Sequence, residues 1–179
     1  MTLPPAQRRK KAGLWSLLAL LVPATAFPTG LAWISSHGRF GWVAFPGLWP
    51  WELWVIAISG GVALIGGLGD WIYHRWVSHC VVGRAERNCE LLALAGGGVP
   101  MFGLMAAASV SEHPHQWLLP VLVVLIYTTA LICYDEFVYH RRRCRRIETL
   151  LHRFLVFGNG IALLAWTHWC FVRDHAIHA

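Results

Sequence analysis

Five long apolar stretches, separated by short polar ones, take up most of this 179-residue chain. They run over 13–34, 53–77, 89–110, 117–139 and 147–172. Crossing the hydrocarbon core of a bilayer takes about 20 apolar residues in a helix, and each stretch reaches that length. In lipid the backbone must satisfy its own hydrogen bonds, so such segments form helices. The sequence therefore predicts an all-α integral membrane protein of about five transmembrane helices, with a basic cytoplasmic tail over 1–12 and a single helical domain over 13–179. Composition supports this: 56% of residues are hydrophobic and 13% charged, and the mean hydropathy is +0.50. Turn-forming residues mark the breaks, with Pro46, Gly47 and Pro50 before the second stretch, Gly83 before the third and Pro114 before the fourth.

Positive charge sets the orientation. Of the 15 Lys and Arg, all but Arg39 and Arg173 fall before the first stretch, between the second and third, or around the start of the last. The positive-inside rule then places the N-terminus in the cytoplasm and, with five spans, the C-terminus on the periplasmic side of a bacterial inner membrane. The run over 13–26 with its basic flank also has the features of a cleavable secretion signal. Apolar character continues to Ile34, so the stretch reads as a retained span; cleavage would leave four spans in the same orientation. The isoelectric point of about 9.4 follows from this topology and predicts no nucleic-acid partner. Five cysteines without a C-x-x-C spacing read as packing thiols. Among the 11 tryptophans, Trp49, Trp51, Trp54, Trp117, Trp166 and Trp169 read as interfacial belts.

Charges inside a membrane are unfavourable, by about 2.5–3.5 kcal/mol each on insertion scales, and so mark function. The second stretch carries Asp70 and His74, the third opens with Glu86 and Glu90, the fourth ends in Asp135, Glu136 and His140, and the fifth begins with Glu148 and His152. An i, i+4 spacing sets two side chains on one face of a helix, about 6 Å apart along its axis. Counting about 1.5 Å per residue brings all four motifs to the cytoplasmic end of the spans. Six of the nine acids converge there, and without positive charge among them they would repel one another and take up protons. Carboxylates and imidazoles without thiolate suit iron, manganese or zinc, and this many acids exceed what one ion requires. The expected centre is two metal ions, iron first, held by Asp70, His74, Glu90, Glu136, His140, Glu148 and His152, with Glu86 and Asp135 as alternates, inside a bundle of the last four helices. A lattice of arginine–carboxylate pairs at the headgroup boundary is the competing explanation. It gives no reason for a histidine four residues after an acid on three helices.

The pattern of four helices that each donate carboxylate or histidine ligands resembles the ferritin-like di-iron carboxylate proteins and their membrane-bound relatives, the alternative oxidases. Those use Glu-x-x-His spacing, whereas the spacing here is i, i+4. Asp70 to Arg75 and Glu148 to His152 are also similar to elements of bacterial membrane proteins that carry Asp-x-x-x-His-Arg and Glu-x-x-x-His.

The expected activity is oxidation of a lipid-soluble substrate by dioxygen at the cytoplasmic face, with electrons from a donor protein. Two other readings stay open: a zinc-dependent lipid hydrolase, and a non-enzymatic subunit of a membrane complex that binds haem through His74 and His152. Tyr73 and Tyr139 read as aromatic packing, and His168 as an interfacial residue. The glycines of the second stretch (Gly60, Gly61, Gly66, Gly67, Gly69) and third (Gly96, Gly97, Gly98) predict close helix packing, or a channel for an acyl or isoprenoid chain.

Overall fold

A computed structural model describes residues 14–73, 76, 84–138 and 146–173, and these are helical with no strand among them. The helices are α1 (Leu14–Ser35), α2 (Trp51–Tyr73), α3 (Arg84–Ala93), α4 (Val99–Val110), α5 (Leu118–Val138) and α6 (Arg146–Thr167). A π-helical turn at Leu94–Gly98 fuses α3 to α4, and another at His168–Val172 extends α6. The five predicted stretches thus return as five continuous helices. Four segments, Trp51–Tyr73, Leu91–Val110, Pro114–Tyr134 and Thr149–Val172, are long and apolar enough to cross a membrane; α1, of 22 residues, corresponds to the first stretch.

Glycine decides which helices touch. On α2 the buried residues Ser59, Ala63, Gly66 and Asp70 recur at helical spacing and form one face. A Cβ on Gly66 would stand 2.6 Å from Leu155 N and 2.7 Å from Leu151 O; one on Gly158 would stand 2.6 Å from Ser59 O and 2.7 Å from Ala63 N. Backbone lies on backbone here, which only residues without a side chain permit, and among the described residues α2 and α6 make the most extensive contact. The glycines of the third stretch serve a different pair. Gly96 faces the Tyr127 ring and Gly97 faces Thr128 on α5, and the Cys89 thiol reaches Leu131 O at 3.9 Å. The two glycine-rich stretches each pack closely, but against different neighbours: α2 against α6, and the turn before α4 against α5.

The described residues therefore form two antiparallel pairs, α2 with α6 and α3–α4 with α5, and α1 packs against members of both. Gly60 of α2 receives the Phe27 side chain of α1, and Phe27 meets Phe102 of α4 edge to face at 5.3 Å. Where the sequence sets the first span apart from a four-helix bundle, Ala24, Phe27 and Ile34 of α1 are buried. At the far end, Leu53, Ile56, Met101, Met105, Val121, Ala162 and Trp166 make one core.

The stretch between α1 and α2 is a packed cap. Tight turns at Gly38–Ala44 and Pro46–Leu48 bury Phe40 and Val43, and Trp49 Nε1 donates to Val43 O at 2.7 Å. Arg39 donates to Ser111 O at 3.0 Å, tying the cap to the end of α4. Two tryptophans assigned to an interfacial belt turn inward: Trp166 and Trp169 are buried. Trp166 can do so because its Nε1 finds Ser109 Oγ at 2.9 Å, which satisfies the one polar atom of the ring.

Candidate metal centre

The buried face of α2 ends at Asp70, 3% exposed. One turn before it, Gly66 lies on the α6 backbone between Leu151 and Leu155, and Gly69 lies against the Leu151 side chain. Asp70 is therefore on the side of α2 that faces α6, level with the first turns of that helix. His152 is half-buried, and both Asp70 Oδ1 and His152 Nδ1 are closed off from solvent.

A second fixed point confirms the register. At the other end of the same pair, Glu52 in the first turn of α2 accepts from His168 Nδ1 at 3.0 Å and from Arg173 Nη1 at 2.6 Å. Counting back at about 1.5 Å per residue, Asp70 is about 27 Å from Glu52 and His152 about 24 Å from His168, so the two sit at one depth.

The other antiparallel pair behaves alike. With Cys89 opposite Leu131, the backbone of Glu86 and Glu90 on α3 runs beside the last turns of α5, which carry Asp135 and Glu136. Glu148 is in the first turn of α6, one turn before His152. The side chains of Glu86, Glu90, Asp135, Glu136 and Glu148, and the whole of His74 and His140, lie outside the described residues. Among the described residues, no group of three or more His, Cys, Asp or Glu stands within reach of one ion. The structure thus pairs Asp70 with His152 in depth and Glu86 and Glu90 with Asp135 and Glu136 along a helix pair.

Glu52 is the ionisable residue that sequence reasoning passed over. It is 1% exposed, and its partners come from the far end of the chain. Its setting is favourable three ways: a carboxylate at a helix N-terminus, a histidine and an arginine at a helix C-terminus, and charge-assisted hydrogen bonds to both oxygens. The Trp51 ring lies 5.1 Å from that of His168. The signal was present in the sequence, since Arg173 is one of two cations outside the three basic clusters and Glu52 is one of three acids, with Glu112 and Asp174, outside the motifs.

Comparison with protein-family models, with curated proteins and with solved structures finds no match for this chain.

Proposed function

We propose that this protein is a membrane-embedded di-metal oxidoreductase whose ions, iron first, are held at the cytoplasmic end of the helices by Asp70, His74, Glu90, Glu136, His140, Glu148 and His152, with Glu86 and Asp135 adjoining. The observation that carries the reading is the common depth of Asp70 and His152 on the α2–α6 pair, with Asp70 buried on the face that the glycine contacts turn toward α6. A buried carboxylate requires a compensating cation or hydrogen bonds. Five further acids, Glu86, Glu90, Asp135, Glu136 and Glu148, are placed by the same topology at that side of the membrane, which raises the demand for positive charge. Carboxylate and imidazole donors without thiolate fit iron, manganese or zinc.

Within this scheme the glycine contacts of α2 with α6 hold Asp70 and His152 at fixed separation and keep water from between the helices. Bound iron would supply the two-electron oxidation of a lipid-soluble substrate by dioxygen, with a donor protein restoring the electrons. By the positive-inside rule the N-terminus and the metal layer face the cytoplasm of a bacterial inner membrane.

Elemental analysis of protein purified in mild detergent tests this. Two iron atoms per chain support the oxidative activity, and two zinc atoms redirect it to hydrolysis of a lipid ester or amide. Absence of any bound metal refutes both.

A further inference from the structure

Between α1, α2, α4 and the end of α6 lies a cavity of about 510 Å³, within the range of about 300–1,000 Å³ typical of small-molecule sites. Phe27 and Ile34 of α1, Phe102 and Met105 of α4, and Trp166 and Trp169 of α6 form most of its wall. We infer that this cavity binds one long hydrocarbon chain, acyl or isoprenoid, and that it holds the tail of the substrate. Its identification with substrate rests on the function proposed above; its occupation by a chain does not.

Shape is the first argument. The wall runs from Val22 to Ile34 on α1 and from Val99 to Ser109 on α4, which at 1.5 Å per residue is a slot about 15–18 Å long and parallel to the helices. A linear chain fits such a slot, whereas a flat macrocycle or a folded peptide does not. Chemistry is the second. Thr25, Thr29 and Ser109 are the hydroxyl-bearing wall residues; Thr25 donates to Val22 O at 3.4 Å, and Ser109 accepts from Trp166 Nε1. Among the described residues no cation or carboxylate lines the slot, so it offers a charged headgroup no counter-charge and a methylene chain a largely apolar surface.

Position is the third argument. The near end of the slot, at Val22 and Val99, points along α3–α4 toward the acidic layer. Glu90 is nine residues from Val99, about 14 Å along the helix axis. A chain seated with its terminus at Ser109 would direct its functional end toward the metal layer. The sequence expects either close packing of glycine helices or a channel for such a chain. The glycines close α2 on α6, and the open volume is bounded by α1, α2, α4 and the end of α6.

The test uses full-length protein in nanodiscs with a diazirine-bearing palmitic acid as the probe. Photolabel is expected on α1 and α4 at the slot and should be displaced by excess unlabelled palmitic acid or farnesol. Gly30 lines the slot and has open space where a Cβ would stand, so Gly30→Phe fills it without touching backbone. Labelling should fall about tenfold, equivalent to about 1.4 kcal/mol of binding. Gly103 has equal space around it but lies outside the wall, so Gly103→Phe should label as the unsubstituted protein does. Ala106→Phe, from the opposite wall, repeats the block independently if Gly30→Phe fails to fold. Equal labelling of the exposed α5 surface, undiminished labelling in both blocked variants, or failure of excess palmitic acid or farnesol to displace the photolabel would overturn the inference. Metal content measured on the same samples separates the two claims. Label in the slot of a metal-free protein sinks the oxidoreductase and keeps the chain site; metal without slot labelling does the reverse.

Discussion

Gly66→Ala puts the central contact of the fold to the test. The new methyl would stand 2.6 Å from Leu155 N, 2.7 Å from Leu151 O and 2.9 Å from Phe154 Cβ, where ordinary contact begins at about 3.5 Å. Two of the three obstacles are backbone atoms, so no side-chain rotation relieves the overlap of roughly 0.8 Å measured against that distance. The helices must separate, and overpacking of this kind costs about 1–3 kcal/mol. The gain in helix propensity, up to about 1 kcal/mol, offsets part of it. Gly61→Ala is the control, because a Cβ there meets nothing within 4 Å and only the propensity gain remains. The two variants should therefore differ by about 1–3 kcal/mol, or roughly 2–12 °C in Tm for a chain of this size. Thermal unfolding in detergent, followed by tryptophan fluorescence, reads the difference. Because Asp70 is one turn beyond Gly66, bound metal should fall in the same variant. Equal stability of the two variants would mean that α2 and α6 do not meet on this face, and the depth argument for Asp70 and His152 would go with it.

Other outcomes follow from individual contacts. Arg173→Ala leaves the buried Glu52 carboxylate with His168 alone; breaking a buried ion pair costs about 3–5 kcal/mol, and the partial exposure of Arg173 reduces this to about 1–3 kcal/mol. The double variant with Glu52→Gln should lose less than the sum of the single losses, and strict additivity in chemical denaturation would show that the pair does not couple. Trp166→Phe removes the buried hydrogen bond to Ser109 and should destabilise by about 1 kcal/mol; if the Ser109→Ala background does not shrink that loss, the bond is not its source. Asp70→Asn or His152→Ala should lower metal content with little change in secondary structure by circular dichroism, and unchanged occupancy would remove them from the ligand set. A chelator should lower the Tm of metal-loaded protein by an amount that grows with metal affinity, whereas an arginine–carboxylate lattice would respond to salt and ignore the chelator.

The helices were legible because hydropathy and turn residues are local signals. Among the described residues, each of the five stretches lies largely in helix. The pairing of helices was less legible, since a glycine reports that something comes close without reporting what. Gly66 and Gly158 are 92 positions apart in sequence and share one interface, and no local signal on either helix names the other as its partner. Trp166 and Trp169 were misassigned for a similar reason: a tryptophan at a span end suits the interface equally well until a hydroxyl such as Ser109 is there to receive its Nε1. Glu52 escaped notice because a lone acid beside a proline-rich turn looks solvated; only the fold brings Arg173 and His168 to it. The spacing of Asp70, and of His152 in the opposite direction along its own helix, could be read from residue counts alone, and the Glu52–His168 contact fixes those counts to a common origin.

Under the proposed function, the two ends of the α2–α6 pair have different roles. At the far end a buried carboxylate is met by an arginine and a histidine of the same chain, with both oxygens engaged, so its role is complete within the protein. Substitution there should alter stability and leave bound metal untouched. At the near end the sequence supplies six acids, more than a clamp of this kind uses, and three of them are followed four residues later by a histidine. If those acids served only to hold helices together, replacing Asp70 would behave as replacing Glu52 does. The opposite pattern, metal lost with the fold retained, is what a site organised around bound cations requires, and the far-end clamp is the internal standard against which that difference is measured.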